Sequence, residues 1–232
     1  MIIMLSDHSS WRVHYLQGRF GGIARLLSAD RPGRMKVWPH LEWALDNGAF
    51  PAWKNGEPWD EEVFIEALDW VKGQSIQPKW IVVPDVVTDC EGTFKAWEKW
   101  EPRLRHLRIP LALAVQDGMT AKEVELRASP DVIFVGGSRP WKLQTRRTWA
   151  ETFPRVHVGR VNGLRDLVAC HELGVESVDG TGFFRGRRAQ LQELITYLEE
   201  FHSPDGIAPM FMPSGDGEPL LPFPHPDAGE IR

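Results

Sequence analysis

The sequence predicts an α/β protein, a (β/α)8 barrel of the TIM type, and three observations carry that expectation. Short apolar runs recur along the chain, and continuous rather than alternating apolarity marks strands buried on both faces of a parallel sheet. Charged stretches with helical spacing separate most of the runs, the pattern of βαβ units. The length, 232 residues, is that of one such barrel. An open, doubly wound sheet is the second arrangement that fits the alternation.

In chain order, strands are expected at Ile2–Leu5, Trp43–Leu45, Trp80–Val83, Leu111–Val115, Val132–Val135, Val156–Val158 and Val175–Val178. An eighth is expected near Arg34–Trp38, failing which the barrel would be reduced or irregular. Helical spacing covers Glu61–Lys72, Glu91–Leu107, Ala121–Ala128, Arg139–Thr152, Leu164–Leu173 and Arg188–Phe201. Trp59, Trp70, Trp97, Trp100 and Trp149 fall in helix-like segments and are assigned to the core. Residues 203–232 hold seven Pro and four Gly without periodicity. They read as an irregular C-terminal arm behind a single catalytic domain of residues 1–202.

A composition of 42% hydrophobic and 25% charged residues excludes collagen-like, coiled-coil and wholly disordered chains. No apolar stretch approaches the 18 residues of a membrane span. The start, Met1-Ile2-Ile3-Met4-Leu5, reads as a buried first strand and not as a signal peptide. Two cysteines, Cys90 and Cys170, are too few for a disulfide framework or a Cys-rich zinc site, which fits a reducing cytoplasm. The net charge of −5 is unevenly spread: residues 139–188 hold ten Lys/Arg against five Asp/Glu. That basic block reads either as a surface for an anionic partner or as a solvated helical face.

In parallel α/β folds, chemistry gathers where strands end. Here the strand ends run into Asp46-Asn47-Gly48-Ala49-Phe50, Pro84-Asp85, Gln116-Asp117-Gly118, Gly136-Gly137-Ser138, Gly159-Arg160 and Asp179-Gly180-Thr181-Gly182. Each has a structural alternative, since a rim Asp can cap the next helix, Gly-Gly can serve a tight turn and Asp-Gly is a common turn pair. Together they would bring three carboxylates, an amide and a Gly pair to one rim, and carboxylates are costly to bury together without a task. One carboxylate can attack a sugar carbon while another moves the leaving group's proton. A carboxylate also matches the N1–H and N2–H₂ donors of guanine, and Phe50 can stack on a base. Ser6-Asp7-His8 could line the same rim, with His8 structural, and His157, inside an apolar run, is assigned to packing. No Walker A or GxGxxG sequence is present.

The order and content of these motifs resemble the tRNA-guanine transglycosylase superfamily, from Trp43 to Arg185. The resemblance implies exchange of guanine for a 7-deazaguanine through a covalent glycosyl-enzyme. It implies that Asp179 is the nucleophile and Asp46 the general acid/base. Asp85 would grip the guanine edge and Gln116 read the base, while the Gly136-Gly137 backbone would meet O6. Val158 would lie against the base's other face. The family's zinc site of three Cys and one His near its C-terminus has no counterpart, because no Cys follows Cys170. No metal or bound cofactor is therefore expected, only the 7-deazaguanine base as co-substrate. The chain is shorter than a tRNA-modifying member, so it is most similar to small, often viral, DNA 7-deazaguanine transglycosylases. That implies DNA rather than RNA as partner, and a host cytoplasm if the protein is viral. Arg160, Arg185, Arg187 and Arg188, with Arg146 and Arg147, would hold phosphates. Gly180 and Gly182 would let the sugar-phosphate approach the backbone. The alternatives are an N- or O-glycoside hydrolase on the same barrel and a non-catalytic base-binding protein.

Overall fold

A computed structural model describes residues 1–6 and 11–202; the expected C-terminal arm, and Asp7 and His8, lie outside them. Eight parallel strands close into a barrel in sequence order. They are β1 (Ile2–Ser6), β2 (Ile23–Ser28), β3 (Glu42–Asp46), β4 (Ile81–Val82), β5 (Leu111–Val115), β6 (Val132–Val135), β7 (Val156–Val158) and β8 (Ser177–Gly180). The ring is completed by β8 pairing with β1, Met4 beside Asp179 and Leu5 beside Gly180. The helices are α1 (Trp11–Phe20), α2 (Ala49–Asn55), α3 (Glu61–Lys72), α4 (Cys90–Leu104), α5 (Ala121–Arg127), α6 (Arg139–Thr152), α7 (Leu164–Glu172), α8 (Gly182–Arg185) and α9 (Arg188–Phe201). None of the described helices is long and apolar enough to cross a membrane.

Two apolar layers follow from the period of two along each strand. Ile3, Leu5, Ile23, Leu27, Leu45, Leu113, Val135, Val158 and Val178 belong to the large core between sheet and helices, which also takes Trp97, Trp100 and Trp149. The barrel interior is a separate cluster: Met4, Ala24, Leu26, Ala44, Trp80, Val82, Ala112, Ala114 and Val132, with Phe134 packed against it. Alanines on β2, β3 and β5 leave room for Trp80. Continuing the inward rows toward the C-terminal ends of their strands, the side chains turn polar on six of the eight: Ser6, Ser28, Asp46, Gln116, His157 and Asp179. The fold thus places polar groups above a dry plug.

The second strand differs from expectation. It is Ile23–Ser28, whose apolar run is interrupted by Arg25, not Arg34–Trp38. Arg25 is buried nonetheless, because its guanidinium donates to the Lys36 carbonyl and lies over the Trp38 ring at 4.8 Å. Residues 34–38 serve as the cover over that cation, entered by a 3-10 turn at Pro32–Arg34. The last strand begins two residues later than expected, so Asp179 lies within β8 and not in the turn after it. Helices α1, α2 and α8 were not expected; α1 carries Gly18 and polar residues among its apolar positions, and the other two are short.

Candidate active site

A cavity of about 710 Å³ opens at the C-terminal ends of the strands, large enough for a nucleoside-sized ligand. Its lining includes Asp46, Asp85, Gln116, Gly136, Gly137, Phe50, Arg160, Asp179 and Arg185 from the sequence-derived set. The helix-cap alternative does not apply to the three carboxylates at the heart of the site. Asp60 caps α3, Asp89 caps α4, Thr120 caps α5 and Ser138 caps α6. The caps are supplied by other residues, and Asp46, Asp85 and Asp179 face the cavity instead.

Asp179 is nearly sealed, with 6% of its surface exposed, and carries three donors. His157 Nε2 and the Arg160 backbone N–H both lie 3.1 Å from Oδ1, and the Ser6 hydroxyl donates to Oδ2 at 3.0 Å. Burial pushes its carboxyl up, but the His157 contact, the Arg160 amide and the Ser6 hydroxyl outweigh it and hold the group below the ordinary aspartate range. Asp179 is an anion at neutral pH. Arg160 reaches it because its own backbone is left-handed, φ 58°. Gly159 stays small because a Cβ there would come within 3.0 Å of Phe134 and 3.3 Å of Asp179 Oδ1.

Asp46 has the opposite character. Its carboxylate accepts one described hydrogen bond, from the Gly48 N–H at 3.1 Å. It keeps some exposure through the cavity mouth, yet the site encloses it enough to raise its carboxyl to about 7. The loss of hydration is the main cause, with Asp85, Asp179 and Asp30 adding repulsion. Near neutral pH Asp46 therefore lies close to the balance between its protonated and ionised forms.

Asp85 sits between two amides: Asn47 Nδ2 donates to Oδ1 at 2.8 Å and Gln116 Nε2 to Oδ2 at 2.5 Å. Burial raises it to about 6 against these two donors. Asn47 is itself locked, donating also to the Val83 carbonyl and accepting from the Ala49 N–H, while Trp59 Nε1 donates to its carbonyl. Gln116 presents its second donor and its acceptor in the same wall, the latter receiving the Thr88 N–H at 3.4 Å.

Three expectations are corrected. Val158 lies in the sheet–helix core, because the alternation of β7 turns His157 and Gly159 inward and Val158 outward. The Gly136 N–H is spent on the Val115 carbonyl at 3.1 Å, so of the two glycines only Gly137 offers an amide without a described partner. The space left by the missing Cβ of Gly180 and Gly182 is taken by protein and not by the cavity: a Cβ at Gly180 would lie 2.3 Å from the Val161 carbonyl, and one at Gly182 2.7 Å from Asn162 and Gln190.

Nor does the basic block form one face. Arg155 forms a two-pronged pair with Glu176, at 2.7 and 2.8 Å, at the entry of β7 and far from the rim in strand direction. Arg139 and Arg146 both approach Asp166, at 2.9 and 3.7 Å, and Arg147 pairs with Glu151. Arg187 and Arg188, at the start of α9, do not line the cavity. Arg160 and Arg185 do, joined at the mouth by Arg31 and Lys54. The Arg160 guanidinium lies over the Phe50 ring at 4.6 Å and donates to the Gly137 carbonyl. Trp53, half exposed, adds a second ring 5.8 Å from Phe50.

Sequence reasoning missed His157 as part of the site and left Asn47 and Ser6 as rim residues without a role. The signal for His157 was its position on the inward row of a three-residue strand; its apolar neighbours concealed it. Among the described residues no group of three or more His, Cys, Asp or Glu side chains is placed to hold a metal ion. No protein-family model and no curated protein matches the chain.

Proposed function

We propose that the protein is a base-exchanging transglycosylase that replaces guanine in DNA with a 7-deazaguanine derivative through a covalent ester on Asp179. The observation that carries this reading is the pair of carboxylates in one cavity whose acidities are pushed in opposite directions. Asp179 is held ionised by three donors, and Asp46 is raised to about 7. Environments that push two titratable groups apart assign a nucleophile and an acid.

In the first half-reaction an Asp179 oxygen bonds to C1′ of the target nucleotide. The C1′–N9 bond breaks toward the base, and the Asp46 proton neutralises the departing guanine. In the second, Asp46 as carboxylate accepts a proton from the incoming 7-deazaguanine as that base attacks C1′. The ester then opens and Asp179 is again an anion. Asp85 offers its remaining lone pairs to the N1–H and N2–H₂ edge of either base. Gln116 and the Gly137 amide lie in the same cavity to meet its polar rim. A target base in a duplex would have to be turned out of the helix to reach them. The cationic mouth, with Arg31, Lys54, Arg160 and Arg185 above an acidic floor, suits a phosphate backbone held outside while the base points in. Trp53 offers a neighbouring base a face to stack on.

Incubation with guanine-containing DNA and no incoming base tests the proposal. A protein–DNA adduct that survives denaturation and maps to Asp179 is expected, together with incorporation of labelled guanine when it is supplied. Guanine release with water as acceptor and no base incorporation would instead make the protein an N-glycoside hydrolase. Base binding with neither outcome would make it a non-catalytic binding protein.

A further inference from the structure

Resting on that transfer reading, we propose that Oδ2 is the attacking atom of Asp179, and that His157 is a positioning residue which reserves Oδ1 as the non-reacting oxygen. A carboxylate oxygen offers about two lone-pair directions. On Oδ1 both are taken, by His157 Nε2 and by the Arg160 N–H, each at 3.1 Å. On Oδ2 one is taken, by the Ser6 hydroxyl at 3.0 Å. Oδ2 therefore keeps the free pair that a bond to C1′ requires.

The imidazole is held in place by two rings and at both nitrogens. It is fully buried. The Phe134 ring lies 4.6 Å from it at 31° and the Trp80 ring 5.0 Å away at 63°, which fixes its plane. Its other nitrogen, Nδ1, is 2.9 Å from the hydroxyl of Ser177, its register partner on β8. For Nε2 to donate to an ionised Asp179, Nε2 must carry a proton; Nδ1 is then the nitrogen that meets the Ser177 hydroxyl. Ser177, His157 and Asp179 form one chain that ends on Oδ1.

The chain serves both half-reactions. While the ester stands, Oδ1 is its carbonyl oxygen, and the same two donors polarise it. When the second base attacks C1′ and the Oδ2–C1′ bond breaks, the electron pair returns to the carboxylate. Oδ1 then takes its share of negative charge into hydrogen bonds already in place, with no reorganisation.

The experiment has two arms on the full chain. The ¹⁵N shifts of the His157 ring in the free protein report which ring nitrogens carry protons without any turnover; a protonated Nε2 is expected, and a ring protonated at Nδ1 alone would overturn the proposal. In the second arm, adduct formation and breakdown are timed in His157→Phe, which keeps a ring between Trp80 and Phe134 but has no donor. Slowing of both steps by about ten- to a hundredfold is expected, with the affinity for free guanine unchanged. An adduct formed at the native rate in this variant would overturn the proposal. Should His157→Phe not fold, the structure of the native adduct decides the matter. The sugar bonded to Oδ2, with Oδ1 still within hydrogen-bond reach of His157, sustains the proposal, and a bond to Oδ1 overturns it. Absence of any adduct in the native protein would remove the transfer reading and the attacking role with it. The ring's protonation would still show whether His157 fixes Asp179.

Discussion

The β8 side of the cavity and the β3 side each carry an enclosed aspartate, and their acidities are shifted in opposite directions. Asp179, the more buried of the two, is the one held as an anion; Asp46, which retains contact with the cavity mouth, is raised to about 7. Loss of water pushes both carboxyls up. Three donors converge on Asp179 against one on Asp46. The comparison teaches that hydrogen-bond donors and neighbouring charges, not depth, decide the direction of a carboxylate's shift in this barrel. Asp85, with two amide donors and a value of about 6, falls between them.

The largest test of that difference is Asp179→Asn. It keeps the size of the side chain but removes the attacking anion, so adduct and exchange should fall by at least about 10⁴-fold, while guanine still binds by calorimetry. Full exchange in this variant would end the assignment of Asp179. Asp46→Asn acts on the other partner and should slow exchange by about 10²–10⁴-fold without moving the adduct to another residue.

The pH dependence sharpens the same contrast. In the native protein, adduct formation should decline as pH rises past about 7, where Asp46 loses its proton. The folded protein holds that proton up to about 7, whereas an ordinary aspartate releases it near 3.8. The stability linked to Asp46 is therefore full below the lower value and lost as pH rises toward the upper one. Melting curves between pH 4 and 7 should accordingly flatten in Asp46→Asn; an unchanged slope would mean that the Asp46 proton is not held.

Asp85→Asn probes the intermediate group. It turns a double acceptor into a side chain that presents N–H₂ toward Asn47, Gln116 and the base edge. Guanine affinity should drop about ten- to a hundredfold, and calorimetry finding native affinity would take Asp85 out of the pocket. The smallest effect belongs to the mouth. Lys54→Ala should weaken DNA binding alike for all sequences and lower the slope of log affinity against log salt by about one, leaving free-base affinity as it was. A slope that does not change would place the phosphates elsewhere.

The alternation of strand and helix was legible because both faces of a parallel strand are buried and leave unbroken apolar runs. The candidate carboxylates were legible because a parallel barrel puts the ends of its strands on one rim, wherever in the chain those strands lie. The sequence by itself thus determined the barrel and the presence of Asp46, Asp85, Gln116 and Asp179 on its rim. What each of them does there was decided by the tertiary structure. Ser6 and Asp179 are 173 residues apart, Asn47 and Asp85 are 38, and His157 and Asp179 are 22. A hydrogen bond is set by position to within a few tenths of an ångström, and no periodicity along the chain encodes that. The missed strand has the same cause. Arg25 reads as a break in an apolar run until the fold brings the Lys36 carbonyl and the Trp38 ring over it. A buried cation is tolerable only where such partners are already in place. Burial patterns are one-dimensional and can be read from residue order, whereas pairing partners, and through them the charge of each aspartate, exist only once the barrel has closed.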